Sequence, residues 1–106
     1  MKLLTKELIK EFEKQGHTDG KDPKDIKVIA KFFNPLGAGT WYATEYLPDE
    51  RLFFGFVSLF NDYNDELGYF SLDDFINYKG PLGIGIERDR YFGDHTLQEI
   101  LDGGRP

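Results

Sequence analysis

The sequence predicts an α+β domain, in which a mainly antiparallel sheet of four to five strands is layered with an N-terminal helix and short helices near residues 72–78 and 96–101. Two aromatic, β-prone runs flank a short connection at residues 47–51, which predicts a β-hairpin. The links between the other predicted strands are also short, and short links imply antiparallel pairing. An apolar stripe at helical spacing near the start of the chain predicts a helix packed on that sheet.

The central hairpin, residues 40–60, is predicted to lie in the middle of the sheet. Side chains alternate between the two faces of a strand, so the first run is expected to place Trp41 and Glu45 on one face and Tyr42 and Tyr46 on the other. The second run is apolar on both faces, which is typical of a strand that is covered from both sides.

The N-terminal part of the chain predicts a helix, a polar loop and a strand. Thr5 can cap a helix over residues 6–15, because its hydroxyl can accept a hydrogen bond from a free N–H group of the first turn. Residues 16–25 are rich in turn formers and predict a mobile surface loop, in which no functional site is expected. The β-branched and aromatic residues of 27–33 predict the first strand.

The C-terminal part of the chain alternates short elements with turns. Residues 61–66 predict an exposed acidic turn, and residues 67–72 predict a short strand. Ser71 and Thr96 are placed to cap the two short helices. Residues 81–89, in which isoleucines alternate with glycines, predict the last strand.

A chain of 106 residues is long enough to bury a core of its own, and a single domain over residues 1–106 is expected. The absence of cysteine excludes disulfides, thiolate nucleophiles and cysteine-bound metal centres. No apolar run has the length of a signal-peptide core or a membrane span, so a cytoplasmic protein is expected. No cofactor is predicted, since Gly37-x-Gly39 enters a strand and lacks the lysine of a phosphate-binding loop. No metal is predicted either, because the pair His17-x-Asp19 has no third ligand.

The charge is uneven along the chain, whose net charge is −6. Residues 1–31 contain eight lysines and six acidic residues, for +2; residues 32–75 contain one arginine and eight acidic residues, for −7; residues 76–106 contain four basic and five acidic residues, for −1. The acidic middle argues against nonspecific binding to duplex DNA, which depends on Lys and Arg neutralising phosphates. It is compatible with a basic protein partner.

Five candidate binding residues are adjacent at the end of the last predicted strand: Glu87, Arg88, Asp89, Arg90 and Tyr91. Alternating charges of this kind can protect an exposed sheet edge from aggregation, which is the favoured interpretation. The alternative is a clamp for an anion or a carboxylate, since the guanidinium of arginine presents a planar fork of donors.

Glu45 is a further candidate, because it is a carboxylate beside the aromatic residues Trp41 and Tyr42. One interpretation is a functional acid whose pKa is raised by its apolar surroundings. Otherwise it is the ion-pair partner of Arg88 or Arg90, and this second interpretation is favoured.

Aromatic residues on the predicted strands provide the last candidates. Tyr42, Tyr46 and Tyr69 could stack on the bases of single-stranded nucleic acid. Such surfaces interleave aromatic with basic residues, and the aromatic strands here contain almost no Lys or Arg. Core packing is therefore the favoured role of these rings.

Four segments carry a resemblance to a known family: MKLLTKEL, TWYATEYLPDERLFFGFV, LGYFSLDD and GPLGIGIERDRYF. Together they are similar to an uncharacterised bacterial family of small proteins from mobile elements, plasmids and prophages. The similarity covers roughly residues 1–100, and its most specific parts are Trp41-Tyr42-x-Thr44-Glu45 and Ile86-Glu87-Arg88-Asp89. The resemblance implies an accessory role in transfer, or in defence and counter-defence, and assigns no catalytic residue.

The charge and the resemblance lead to one main functional hypothesis: a non-enzymatic accessory protein of a mobile genetic element that acts by binding a protein. Its sharpest form is an acidic DNA mimic or counter-defence inhibitor with a basic or DNA-processing partner. The alternative is a small hydrolase or nucleotide-directed enzyme that uses Glu45, Glu87 and Asp89 with Arg88 or Arg90. Single-stranded nucleic-acid binding is a third, weaker alternative. Neither duplex DNA nor a membrane is expected to bind.

Overall fold

The computed structural model describes residues 2–60 and 64–106, and it confirms the predicted α+β class. Its helices and strands, in chain order, are α1 (Lys6–Gln15), β1 (Ala30–Phe33), β2 (Thr40–Leu47), β3 (Leu52–Ser58), β4 (Glu66–Ser71), α2 (Leu72–Asn77), β5 (Glu87–Arg88) and α3 (Leu97–Leu101). Short 3₁₀ helices occur at Pro23–Asp25 and Pro81–Gly83. The strands of the described residues form one antiparallel sheet in the order β4-β3-β2-β1-β5. No helix in these residues is long and apolar enough to cross a membrane.

The helices begin where their capping residues predict. Thr5, Ser71 and Thr96 each accept a hydrogen bond from the backbone N–H three residues further on, at 3.2, 3.1 and 3.3 Å. The start of β1 is less well predicted. The strand begins at Ala30, and Lys27 before it forms an isolated bridge with Thr96.

The last strand is shorter than predicted. The prediction of a strand over residues 81–89 is wrong, because β5 contains only Glu87 and Arg88, which pair with the end of β1. The preceding chain turns instead, since Leu82 and Gly83 have φ values of 60° and 75°, outside the range of a β-strand. The two edges of the sheet are therefore β5 and β4.

A β-bulge in β2 changes which side chains share a face. The pairing of β2 with β3 skips one residue, Thr44, whose hydroxyl donates to a carbonyl oxygen of β3. Side chains beyond a bulge are displaced to the opposite face from simple alternation. The predicted faces are therefore wrong after this point: Glu45 shares a face with Tyr42, and Tyr46 shares a face with Trp41.

Both faces of the sheet carry a buried core, as predicted for β3. One face, here called the α1 face, packs against α1 and α2 around five buried rings: Phe12, Phe32, Phe53, Phe70 and Phe75. The other, the α3 face, packs against α3 and the segment before β1 around a second buried cluster: Ile26, Val28, Tyr42, Phe56, Leu97 and Ile100. Each core is built mainly from large apolar side chains, whose burial is the main stabilising term.

Gly55 and Gly68 are cross-strand partners on β3 and β4, and alanine is expected to act oppositely at the two positions. A Cβ atom at Gly55 would lie 1.9 Å from the carbonyl oxygen of Tyr42, whereas a Cβ atom at Gly68 would meet no atom within 4 Å. We expect Gly55→Ala to lower the free energy of unfolding by about 2 kcal/mol, because backbone must move to admit the methyl group. Gly68→Ala is expected to raise it by about 0.5 kcal/mol. Urea unfolding of both variants checks this, and equal effects would contradict the strand register.

Candidate functional site

A groove of about 940 Å³ opens on the α3 face, where α3 leaves part of β3 and β4 uncovered. We call it the Glu45 groove, formed by loop residues 17–21, Glu45 of β2, Phe54 of β3, Tyr69 of β4 and Leu101 of α3. The floor and one wall are apolar, and the loop supplies polar groups on the other side. Concave sites of this composition are the usual places for ligands or partners to bind.

The loop of residues 16–25 is anchored at its base by Gln15. The side-chain Nε2 of Gln15 donates to the carbonyl oxygens of Lys27 and Thr44 at 2.9 and 2.8 Å, and its Oε1 accepts from the N–H of Lys27 at 2.9 Å. Nζ of Lys21 donates to the carbonyl oxygen of Gln15 at 2.8 Å. This loop, in which no functional site is expected from the sequence, forms one wall of the groove.

Glu45 is held by the loop rather than by an arginine. Its Oε1 accepts from the N–H and the hydroxyl of Thr18 at 2.6 and 2.5 Å, and its Oε2 lies 3.6 Å from Nδ1 of His17. The Glu45 side chain is only 14% exposed, and Thr18 is buried. No local pattern marks Thr18 in the sequence, because its role depends on contact with a residue 27 positions away.

The pKa of Glu45 lies below its ordinary value. Burial alone would raise the pKa, but the hydrogen bonds from Thr18, with a smaller contribution from His17, outweigh it and lower the pKa. Glu45 is therefore ionised at neutral pH. The hypothesis of a raised-pKa acid is wrong, because the loop supplies donors that stabilise the charged form.

Glu45→Gln is expected to make the free energy of unfolding less dependent on pH in the acidic range. A carboxylate whose pKa is lowered by folding stabilises the protein above its unfolded pKa and loses that contribution as the pH falls through its folded pKa. The variant should lose about 1 kcal/mol at neutral pH, since a charged acceptor becomes neutral. Relative to the parent, the loss should disappear near the acid end of a urea-unfolding series. Glu50→Gln, at an exposed turn position, is the control; a loss independent of pH would contradict this assignment.

The aromatic candidates do not form one surface. Trp41 packs edge-on against Phe75 on the α1 face, with 4.9 Å between ring centroids. Tyr42 is buried on the α3 face, and burial raises the pKa of its phenol. Tyr69 is 64% exposed and packs edge-on against Phe54 at 5.0 Å, on the floor of the groove. Stacking of Tyr42, Tyr46 and Tyr69 on one strand of nucleic acid is therefore inconsistent with the fold.

The charged cluster at β5, residues 87–91, makes mainly structural contacts. Nη2 and Nε of Arg88 donate to the carbonyl oxygen of Lys2 at 3.1 and 3.3 Å. Oδ2 of Asp89 lies 3.8 Å from Nζ of Lys31. These contacts tie the chain start and β1 to the edge strand, and they match the interpretation of a charged sheet edge.

The exposed members of that cluster are Arg90 and Tyr91, whose charged group and ring centroid lie 6.0 Å apart. Glu87 pairs with the end of β1 and is partly buried. Arg88 pairs in register with Phe32, so its side chain belongs to the α1 face, whereas Glu45 opens on the α3 face. The predicted ion pair between Glu45 and Arg88 is therefore wrong, and the proposed hydrolase residues do not all converge. Among the described residues, no group of three or more His, Asp or Glu side chains could hold a metal ion.

The acidic middle segment is partly neutralised within the fold. Asp65, predicted to lie in an exposed turn, is only 5% exposed and contacts Arg105 at 3.2 Å and the hydroxyl of Ser58 at 2.7 Å. Asp73 accepts from Nε of Arg51 at 2.9 Å. The first half of the predicted turn, residues 61–63, lies outside the described residues.

Comparison with known proteins gives one family match. A model of the family described as "Protein of unknown function (DUF2958)" matches residues 3–102. No curated protein and no solved structure matches the chain. The matched region contains every helix and strand described above, so the chain belongs to this uncharacterised family, DUF2958.

Proposed function

We propose that the chain is a non-enzymatic protein-binding module, accessory to a mobile genetic element in the cytoplasm, and that a partner binds in the Glu45 groove. The observation that carries this proposal is an ionised carboxylate set among exposed apolar side chains. The mobile-element setting rests on the sequence resemblance alone.

The apolar part of the groove is large enough to contribute binding energy. Leu67, Tyr69 and Leu101 are all exposed around the half-buried ring of Phe54. Single exposed apolar residues are common, but an adjacent group in a concave surface is typical of an interaction site. Tyrosine at the centre of such a group is often a dominant contributor to affinity.

The charge of the groove favours a basic partner. Within the described part of the chain, no Lys or Arg nitrogen lies within 4.0 Å of the Glu45 carboxylate, and the neighbouring His17 is charged only when it is protonated. Asp19 adds a second acidic group to the lining, and the ammonium of Lys21 is engaged by a backbone carbonyl. An arginine or lysine flanked by apolar residues would complement both features.

The DNA-mimic form of the hypothesis receives less support. A mimic presents an array of unpaired carboxylates, and in this segment Asp65 and Asp73 are paired with Arg105 and Arg51. The binding surface favoured by the fold is therefore the apolar groove with its carboxylate.

The experiment compares two lysine substitutions of exposed apolar residues. Tyr69→Lys places a positive charge in the groove, whereas Leu82→Lys does so at a site outside it. Each variant, once shown by circular dichroism to fold, is used for affinity purification from the native host with quantitative mass spectrometry. We expect Tyr69→Lys to recover about tenfold less of each partner than the parent or Leu82→Lys does. This corresponds to a loss of about 1.4 kcal/mol in binding free energy. Equal recovery with both variants would refute the groove as the binding site.

A further inference from the structure

We infer that a second site, a cleft of about 600 Å³ on the α1 face, binds a small phosphorylated molecule with a flat apolar body, such as a mononucleotide. The cleft lies between the start of α1, the end of the β2–β3 hairpin and the segment after α2. It lies on the opposite face of the sheet from the Glu45 groove, so the inference is independent of the function proposed above.

The first observation is the charge of the cleft. Four basic residues line it, Lys2, Lys6, Arg51 and Lys79, and no acidic residue does so. The chain as a whole carries 19 acidic and 13 basic residues, so such a lining departs from the average of the molecule. Arg51 is paired with Asp73, and its charge is therefore partly neutralised.

The three lysines supply the remaining positive charge. Within residues 2–60 and 64–106, the ammonium groups of Lys2, Lys6 and Lys79 make no hydrogen bond or ion pair. They come from three different places in the chain, before α1, on its first turn and after α2. Several cations around one concavity stabilise a group with more than one negative charge, for which phosphate is the common biological case.

The second observation is the apolar interior of the same cleft. Leu72 and Phe75 are buried beneath it, and the half-buried side chains of Ile9, Tyr46 and Ile86 border it. A purely inorganic anion would leave these groups uncovered. A flat ring attached to the phosphate would cover them, and aromatic side chains stack well on such rings.

The size and the surroundings favour a small ligand over a polymer. Ligand sites typically enclose about 300–1,000 Å³, a range that includes this cleft. The hairpin next to it carries Asp49 and Glu50, and the chain has a net charge of −6. A long nucleic acid would meet this acidic surface, whereas a single nucleotide would contact only the lysines.

Isothermal titration calorimetry with ATP, AMP, adenosine and inorganic phosphate tests the inference. We expect ATP to bind more tightly than AMP, and adenosine and phosphate to bind at least about tenfold more weakly than ATP. Lys6→Gln and Lys79→Gln should each weaken ATP binding by about three- to tenfold, whereas Lys10→Gln, an exposed lysine on the same helix outside the cleft, should not.

Four results would overturn the inference. These are no binding of ATP up to millimolar concentration, equal binding of ATP and phosphate, equal losses in the Lys6 and Lys10 variants, and tighter binding of a single-stranded oligonucleotide than of ATP. Tyr69→Lys should leave ATP binding unchanged, because Tyr69 lies in the groove on the other face. Failure of this inference would consequently leave the proposed function intact, and the reverse also holds.

Discussion

Replacement of Phe53 by alanine is expected to lower the free energy of unfolding by about 4 kcal/mol. Phe53 is fully buried at the centre of the α1 face, and its ring centroid lies 5.0 Å from those of Phe32 and Tyr46 and 5.5 Å from that of Phe70. Truncation removes these contacts and leaves a cavity between paired strands and a helix, which cannot fully close it. Domains of this size have a total stability of about 5–15 kcal/mol, so the loss is a large fraction of the whole.

Urea unfolding followed by circular dichroism measures this loss. Phe60→Ala is the matched control, because Phe60 is 74% exposed just beyond the end of the same strand. The control should change the free energy of unfolding by less than about 0.5 kcal/mol. A Phe53 variant that behaves like the Phe60 variant would mean that β3 is not the centre of the core.

Replacement of Arg105 by alanine is expected to cost about 3 kcal/mol of stability. Its guanidinium donates to the carbonyl oxygens of Ile100 and Gly104 at 2.8 and 2.7 Å and to Asp65 at 3.2 Å, and it lies 4.9 Å from the ring centroid of Phe56. Truncation removes the guanidinium that contacts the Asp65 carboxylate, whose side chain is only 5% exposed. The Nε–H of Arg105 is itself buried without a hydrogen-bond partner in the described residues, which limits how much Arg105 contributes to the free energy of unfolding.

The reciprocal substitution separates the charge pair from the packing. Asp65→Asn should cost only about 1 kcal/mol, because the Arg105 side chain is 24% exposed and keeps its two carbonyl partners. The double variant should be more stable than the sum of the single losses implies, since the two groups are coupled. Arg90→Ala, at an exposed position, is the control. Strictly additive losses would show that the pair contributes no coupling.

Several parts of the fold could be predicted because their causes are local. Thr5, Ser71 and Thr96 cap helices through groups only three residues away, so the pattern that predicts each helix start is contained in one turn. The hairpin predicted with a connection at residues 47–51 is present, with the connection at residues 48–51, because Leu47 still pairs with Leu52. The apolar residues on both faces of β3 likewise predict burial on both sides.

The surroundings of the candidate residues could not be predicted, because their contacts join distant residues. Glu45 is a candidate in the sequence, but a bulge of one residue at Thr44 places it on the opposite face from its predicted one. A bulge breaks the two-residue period without leaving a signal in the hydrophobic pattern. The partner of Glu45, Thr18, lay in a loop where no site was expected.

The sequence by itself determined the helix starts, the central hairpin and the burial of its second strand, because capping and alternation act over a few residues. Only the tertiary structure decided that Glu45 faces a groove, that Asp65 is buried against Arg105 and that four basic residues line one cleft. Those outcomes depend on strand register and on contacts between residues that are far apart in the chain, such as Asp65 and Arg105, which are separated by 40 positions. Long-range pairing is selected by the packing of the whole domain, which no local pattern encodes.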